Sequence, residues 1–214
     1  MTKEIIKTLL PKYILNIRQK IRLYLQERKE LKEWKNRGCP VPPPHIIKIR
    51  TIQEYQLKYG YSILIETGTY MGDMVEAQRK RFKNVISIEL GKDLFEKAKM
   101  RFKKNKNVIL YKGDSGTVLP QILQDIKEPA IFWLDGHYSE GVTARGDKDC
   151  PILEELKAIL ETEKFNHVLL IDDARLFIGQ SDYPTIEELN EFIKGENNSY
   201  ELEIKNDIIR FVVK

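Results

Sequence analysis

The sequence predicts an α/β domain, in which helices cover both faces of a mostly parallel β-sheet. Short runs rich in β-branched and aromatic residues alternate along the chain with stretches that carry the period of a helix, and this alternation is typical of βαβ units. Only Asn206-Asp207 separates the last two runs. Because this pair is a tight-turn signal, we expect the sheet to end in an antiparallel hairpin. The length of 214 residues suits one such domain with an extension.

The composition excludes several classes of protein. Charged residues make up 32% of the chain, but 36 Lys and Arg against 32 Asp and Glu leave a net charge of only +4, which is too balanced to indicate a nucleic-acid binder. The two cysteines, Cys39 and Cys150, lack a zinc-binding spacing and fit a reducing compartment. No apolar run is long enough for a transmembrane helix, and Lys7 and Lys12 interrupt any signal-peptide core. We therefore expect a cytoplasmic protein without a nucleic-acid partner.

The N-terminal segment differs in charge from the rest of the chain. Residues 1–37 carry 11 basic and 4 acidic side chains, a net charge of +7. Apolar residues recur there at helical spacing, which predicts a long amphipathic helix that Pro11 kinks or restarts. This apolar stripe consists of Ile6, Leu10, Ile14, Ile17, Ile21, Tyr24 and Leu31. We expect the stripe to pack on its own domain or on the mate of a homodimer. Peripheral contact with an anionic membrane is the alternative.

A Pro-rich linker at 38–49 is expected to separate this helical extension, residues 1–37, from the main domain at 50–214. Its sequence Cys39-Pro-Val-Pro-Pro-Pro-His45 favours a stiff, extended backbone. In the main domain the predicted strands are Ser62–Glu66, Val85–Glu89, Val108–Tyr111, Ala130–Asp135, His167–Asp172, Tyr200–Lys205 and Ile208–Val213. The predicted helices lie near 74–82, 93–104, 116–126, 150–161 and 184–194.

The first predicted strand ends at Glu66, and the loop after it contains Gly68 and Gly72. Ligands of open α/β sheets bind beyond the carboxyl ends of the strands, and the two glycines let the backbone turn sharply and approach a ligand ahead of a helix. The dinucleotide fingerprint Gly-x-Gly-x-x-Gly is absent, because Tyr70 and Met71 lie between the glycines. A nucleoside ligand without phosphates therefore fits better. A plain tight turn is the alternative interpretation of this loop.

Acidic residues follow the next two predicted strands. Glu89 lies 21 residues after Gly68, a separation at which a carboxylate can accept hydrogen bonds from both ribose hydroxyls of an adenosine ligand. Asp114, with Ser115 beside it, follows the third strand, where it can accept from an adenine amino group. Helix capping is the alternative role for both carboxylates.

The fourth and fifth predicted strands also end in acids. Asp135 is the last residue of the fourth predicted strand and Asp172-Asp173 lies at the end of the fifth, and we expect the three carboxylates to converge. Carboxylates that share a cleft repel one another unless a divalent cation such as Mg²⁺, or a cationic substrate, neutralises them. A metal held there could lower the pKa of a substrate hydroxyl. Pairing of Arg175 or Arg145 with one aspartate would instead remove the argument for a metal.

The end of the fourth predicted strand and the residues just after it contain two candidates for catalysis. Asp135 can act through a bound cation, and His137 is the alternative base, because the ordinary pKa of histidine lies near neutrality. The site is therefore predicted to have an acid-rich end suited to removing a proton from a substrate.

These motifs resemble those of the class I S-adenosylmethionine-dependent methyltransferases. The sequence from Glu66 to Gly72 is similar to their first motif, Ile88-Glu89 to their ribose motif and Gly113-Asp114 to their adenine-side motif. The resemblance covers about residues 50–214. It implies a Rossmann-like, seven-stranded, mostly parallel sheet of order 3-2-1-4-5-7-6 whose last strand is antiparallel. It also implies S-adenosylmethionine as the cofactor, with Glu66 and Gly68 near its methionine end.

The acid-rich end narrows the resemblance. Asp135 together with Asp172-Asp173 is similar to the arrangement in sugar and small-molecule O-methyltransferases that use Mg²⁺. The sequences Trp-Leu-Asp-Gly-His-Tyr and Ile-Asp-Asp-Ala-Arg look like those of a bacterial group associated with surface-polysaccharide or glycan modification. We therefore expect methyl transfer to a hydroxyl of a sugar or another small substrate. The alternatives are an NAD-dependent oxidoreductase and a non-catalytic membrane- or partner-binding module.

Overall fold

The computed structural model describes residues 21–136, 150–161 and 165–213. The chain divides into two compact units, and the boundary between them lies between Ile47 and Lys48. No helix within the described ranges is both long and apolar enough to cross a bilayer.

The first unit contains helix α1, which is described from residue 21 to residue 36. The helix ends where Gly38 and Cys39 adopt positive φ angles of 81° and 58°. The indole N–H of Trp34 donates a hydrogen bond to the carbonyl oxygen of Pro40 at 2.7 Å, and this bond folds the chain back on the end of the helix. The predicted N-terminal part of the helix, residues 1–20, lies outside the described residues.

Helix α2, His45–Tyr59, differs from the sequence prediction. It begins inside the stretch 38–49 that was expected to be extended, so the extended segment is shorter than predicted. The carbonyl oxygen of Pro44 accepts a hydrogen bond from the N–H of Ile47 at 2.8 Å. Proline suits the start of a helix because the N–H groups of the first turn have no helical partner. The division into extension, linker and main domain stays a prediction.

The second unit is built on one seven-stranded sheet of order β3-β2-β1-β4-β5-β7-β6. Strands β1 to β5 pair in parallel, and β7 lies antiparallel between β5 and β6. The strands are β1 Ile63–Thr67, β2 Asn84–Glu89, β3 Val108–Lys112, β4 Ala130–Leu134, β5 Val168–Ile171, β6 Tyr200–Lys205 and β7 Ile208–Val213. Asn206 and Asp207 form the turn of the last hairpin with φ angles of 55° and 61°. The predicted fold is confirmed in its strands, its strand order and its terminal hairpin.

The predicted helices of this unit are present, with shifted ends. They are α3 Asp73–Gln78, α4 Lys92–Phe102, α5 Ser115–Leu123, α6 Ile152–Glu161 and α7 Ile186–Glu196. Helix α3 is shorter than the predicted 74–82, and a short 3-10 helix at Ala174–Leu176 was not predicted.

Two apolar clusters, one on each face of the sheet, form the core of this unit. Alternate residues of β1 belong to different clusters: Ile63 and Ile65 pack with α5, α6 and α7, whereas Leu64 packs with α2, α3 and α4. The residues of β1 and β4 are all buried, and the chain order of the sheet reverses between these two strands. Ligands of open α/β sheets bind at such a reversal, which makes the carboxyl ends of β1, β4 and their neighbours the candidate site.

Candidate functional site

The loop after β1 contacts the ends of both neighbouring strands. Gly68 has a φ angle of 82°, and a Cβ atom there would lie 2.2 Å from the carbonyl oxygen of Asp135, just after β4. The N–H groups of Gly68 and Thr69 donate to the carbonyl oxygen of Ile88 in β2 at 3.0 and 3.2 Å. Glycine is needed at position 68 for its backbone angle and for the close approach of the two strand ends.

Gly72 is in contact with α4. It is the N-cap residue of α3 with a φ angle of 77°, and a Cβ atom there would lie 2.7 Å from the Phe102 ring. The absence of a side chain therefore allows α3 to begin against α4. That Gly72 also contacts a ligand stays a prediction.

Glu66 is buried in the middle of the site, with 2% of its surface exposed. Its Oε2 accepts a hydrogen bond from the Ser87 hydroxyl at 2.5 Å, and the Ser87 and Thr69 hydroxyl oxygens lie 2.6 Å apart. Burial raises the pKa of Glu66 to about 8, and the negative charges of Asp135 and Glu89 add to this effect while the Ser87 hydrogen bond opposes it. Near neutral pH the carboxyl is therefore mostly protonated, and a bound cation would favour its ionised form.

Glu89, the last residue of β2, is held by two backbone groups. Its Oε2 accepts from the N–H of Tyr70 at 2.7 Å, and its Oε1 accepts from the N–H of Gly91 at 2.8 Å. Tyr70 has a positive φ angle of 48°, which is uncommon for a residue other than glycine. Burial raises the pKa of Glu89, although both backbone bonds oppose the rise. Each carboxylate oxygen has two acceptor positions, so each one can still accept a bond from a ligand hydroxyl.

Asp114 and Ser115 lie at the start of α5. Asp114 is the N-cap residue, but its side chain makes no capping hydrogen bond, so the capping alternative does not explain it. Ser115 is buried. A Cβ atom built on Gly136, just after β4, would lie 3.1 Å from both the Ser115 and the Thr67 hydroxyl oxygens. The ends of β1 and β4 and the start of α5 therefore meet at one place.

Lysine 48 of α2 reaches the carboxyl end of β5. Its ammonium group is hydrogen-bonded to Asp172 Oδ2 and lies 3.4 Å from Asp173 Oδ1. Burial lowers the pKa of Lys48, but the attraction of Asp172 and Asp173, with a smaller effect of Asp135, leaves it above its ordinary value. Burial also raises the pKa of Asp172, whose side chain is fully buried, and Lys48 opposes that rise. The buried carboxylate and the lysine therefore form one ion pair.

Arg175 neutralises the second aspartate of the pair. Its guanidinium donates to Asp173 Oδ1 at 2.8 Å and is also paired with Asp207 Oδ2. The N–H of Arg175 donates to Asp207 Oδ1 at 2.8 Å, and the N–H of Ala174 donates to the Asp207 carbonyl oxygen at 2.8 Å. The turn of the last hairpin is thus fastened to the loop after β5. This is the pairing of Arg175 with an aspartate that the sequence left open.

The predicted metal ligands fit Mg²⁺ poorly in this arrangement. Lys48 and Arg175 occupy the carboxylates of Asp172 and Asp173, where a divalent cation would need free oxygen ligands. In the described part of the chain, no group of three or more His, Cys, Asp or Glu side chains is arranged to hold a metal. No step of the reaction is therefore assigned to a metal ion.

The other predicted catalytic residues are described in part. Asp135 follows β4, and its N–H donates to the Thr67 hydroxyl at 3.2 Å. The negative charge of Asp135 adds to the rise in the pKa of both Glu66 and Lys48. His137 lies outside the described residues, as does Arg145.

Sequence reasoning missed several residues that contact the predicted ones. Ser87 faces inward from the middle of β2, and Lys48 lies within the stretch predicted to be a linker. Neither carries a motif. Their contacts depend on strand register and on the presence of α2, neither of which their local sequence specifies.

Solved structures with a similar fold include methyltransferases. An O-methyltransferase from Bacillus cereus, in complex with S-adenosylhomocysteine, is 15% identical and has a TM-score of 0.59, covering 87% of this chain and 90% of its own. The O-methyltransferase TomG from Streptomyces achromogenes, in complex with S-adenosylmethionine, is 14% identical with a TM-score of 0.59, covering 87% and 88%. The methyltransferase PaMTH1 from Podospora anserina, bound to S-adenosylhomocysteine, is 15% identical with a TM-score of 0.55, covering 78% of each chain.

Sequence comparison adds no closer relative. No family model matches the chain, and a search of the curated proteins finds no similar sequence. At identities of 11–15%, the structural likeness shows only the fold. The chain has the Rossmann-like fold of S-adenosylmethionine-dependent methyltransferases.

Proposed function

We propose that this protein is an S-adenosylmethionine-dependent methyltransferase, and that its acceptor is a hydroxyl of a sugar or of another small molecule. The observation that carries the proposal is Glu89, a buried carboxylate held at the end of β2 by two backbone N–H groups. It lies in a fold whose solved neighbours bind S-adenosylmethionine or S-adenosylhomocysteine.

The residues of the site divide the work of binding the cofactor. Glu89 accepts hydrogen bonds from the ribose hydroxyls, and Asp114, with Ser115, lies beside the adenine. Glu66 and the loop through Gly68 lie near the methionine end of the ligand. The positive charge of the ligand favours the ionised form of the Glu66 carboxyl, which then attracts that charge. The lack of a second glycine between Gly68 and Gly72 disfavours the NAD-dependent alternative, which needs close backbone approach to a pyrophosphate.

Methyl transfer requires mainly alignment and the removal of one proton. When bound, S-adenosylmethionine supplies the methyl carbon, whose bond to sulfur breaks as its bond to the acceptor oxygen forms, with the electron pair remaining on sulfur. Asp135 lies next to this region, and His137 follows it in sequence. We assign the acceptance of the hydroxyl proton to one of these two side chains. The hydroxyl acceptor is favoured by the O-methyltransferases among the structural neighbours.

Calorimetry with S-adenosylhomocysteine tests the cofactor assignment. We expect binding to the wild-type chain, and a loss of about 1–3 kcal/mol in Glu89→Ala, the usual scale for hydrogen bonds to a charged group. Glu96→Ala, an exposed position on α4, is the matched control and should bind normally. Tight binding of NAD with no binding of S-adenosylhomocysteine would favour the oxidoreductase instead. A methyl-release screen over sugars, nucleotide sugars and glycans then identifies the acceptor.

We further propose that residues 1–37 join two copies of the chain. Helix α1 leaves Ile21, Tyr24 and Leu25 exposed by 53%, 55% and 58%. Exposed apolar side chains that neighbour one another favour an interface. The basic charge of the segment keeps peripheral membrane contact as the alternative.

A further inference from the structure

The acid-rich end of the site contains its own cation. Asp172 and Asp173 follow one another at the end of β5, and the N–H of Asp173 donates to Asp172 Oδ1 at 2.9 Å. The side chain of Asp172 is 0% exposed and that of Asp173 is 12% exposed. Buried carboxylates this close need a positive charge beside them. Lys48 supplies it from α2, and the side chain of the lysine keeps 16% exposure.

The arrangement leaves the lysine a donor for a ligand. An ammonium group carries three N–H donors. Within the described residues, the hydrogen bonds to Asp172 and Asp173 use two of them, which leaves the third for a ligand. The two carboxylates that the ammonium contacts are among those that the sequence predicted as Mg²⁺ ligands.

We propose that the Lys48 ammonium takes the place of a divalent cation at the acceptor end of the site, and that it positions the acceptor by donating a hydrogen bond to an acceptor oxygen. Lys48 is then a positioning residue for the substrate, and methyl transfer needs no metal. The role toward the acceptor rests on the proposed methyltransferase function. The replacement of a metal by the lysine does not rest on that function, because it concerns only the ion pairs of Asp172 and Asp173 with Lys48 and Arg175.

Titration of the full chain with Mn²⁺, followed by electron paramagnetic resonance, tests the replacement without any activity. We expect no saturable site in the wild type or in Lys58→Met, a control at an exposed lysine of the same helix. We expect Lys48→Met to gain a saturable Mn²⁺ site, since it removes the cation beside Asp172 and one of the cations beside Asp173, which keeps Arg175. The added substitution Asp172→Asn should abolish the gain.

Three results would overturn the replacement. The first is a saturable Mn²⁺ site in the wild type that Asp172→Asn removes. The second is a folded Lys48→Met protein that gains no Mn²⁺ site. The third concerns Lys48→Arg, which serves as the test if Lys48→Met does not fold. This variant keeps the positive charge, so it should have no Mn²⁺ site. A saturable Mn²⁺ site in Lys48→Arg would therefore overturn the replacement.

Kinetics with an identified acceptor test the positioning role. We expect the rate of the wild type to survive chelation by EDTA, and Lys48→Met to raise the KM for the acceptor about tenfold, the scale of one lost hydrogen bond, with unchanged affinity for S-adenosylhomocysteine. Loss of activity on chelation, or an unchanged acceptor KM, would overturn this role. Failure to bind S-adenosylhomocysteine at all would count against the proposed function and leave the Mn²⁺ result standing.

Discussion

Glu66 couples the stability of the protein to pH. Its pKa is about 8 in the folded chain against an ordinary value of 4.5, so between these values the folded state holds a proton that the unfolded state has lost. The free energy of unfolding therefore falls as the pH rises through this range, by up to about 1.4 kcal/mol per pH unit. Glu66→Gln should remove this dependence, and urea unfolding at several pH values measures it.

A matched substitution makes the Glu66 result interpretable. Glu96→Gln changes the same functional group at an exposed position of α4 and should leave the wild-type pH dependence in place. If Glu66→Gln and Glu96→Gln have the same slope of stability against pH, the buried carboxyl of Glu66 is not the group that binds the proton.

At single residues, the sequence predicted which residues lie at the strand ends better than it predicted their contacts. Glu66, Glu89 and Asp135 lie at or just after strand ends, and strand ends can be read from the alternation of β-rich runs and helices. The bond from Ser87 to Glu66 depends instead on the register that sets these residues opposite each other on β1 and β2. Short sequence motifs do not specify register between strands, so the hydrogen-bonded environment of Glu66 was not predictable.

At the scale of elements, the loop after β1 depends on Gly68. Substitution with Ala would force a left-handed backbone angle on a non-glycine residue and place a Cβ atom 2.2 Å from the Asp135 carbonyl oxygen. Gly60→Ala is the matched control, because Gly60 also has a positive φ angle, 71°, but has no atom within 4 Å of the added Cβ. We expect about 1–2 kcal/mol of destabilisation from the backbone angle alone in Gly60→Ala, and a larger loss in Gly68→Ala.

Thermal and urea unfolding of both variants check this expectation, together with binding of S-adenosylhomocysteine. Gly68→Ala should also weaken binding, since the loop must move away from the end of β4, whereas Gly60→Ala should bind normally. Equal stabilities for the two variants would show that the contact of the added Cβ atom with the Asp135 carbonyl oxygen costs no stability.

Helix α2 shows where the prediction of elements failed. The prolines before it favour an extended backbone, and the predicted linker therefore extends to residue 49. The observed helix already begins at His45. A proline just before a helix is compatible with it, so the boundary could have been placed earlier. The consequence for the site is direct, because Lys48 lies in the first turns of that helix and reaches Asp172.

At the scale of the whole molecule, the alternation of elements predicts an α/β sheet but leaves the strand order open. The order 3-2-1-4-5-7-6 came from the resemblance of the loop motifs to a known family, and it is confirmed. This order places β7 beside β5, so that the last turn brings Asp207 to Arg175. The contact between Arg175 and Asp207, which lie 32 positions apart in sequence, thus holds the loop that contains Asp173. These two residues come together only when the complete sheet has formed.

At the scale of the assembly, the N-terminal segment is expected to join two copies of the chain. We expect deletion of residues 1–37 to convert a dimer into a monomer, as measured by light scattering coupled to gel filtration. Substituting Ile21, Tyr24 and Leu25 by Ser should do the same, because these exposed side chains lie on the proposed interface. Leu57→Ser, at another exposed apolar position, should leave the mass unchanged. If the deletion abolishes only binding to anionic vesicles, the membrane alternative is favoured. If the deletion changes neither the oligomeric state nor the stability, the proposed interface is rejected.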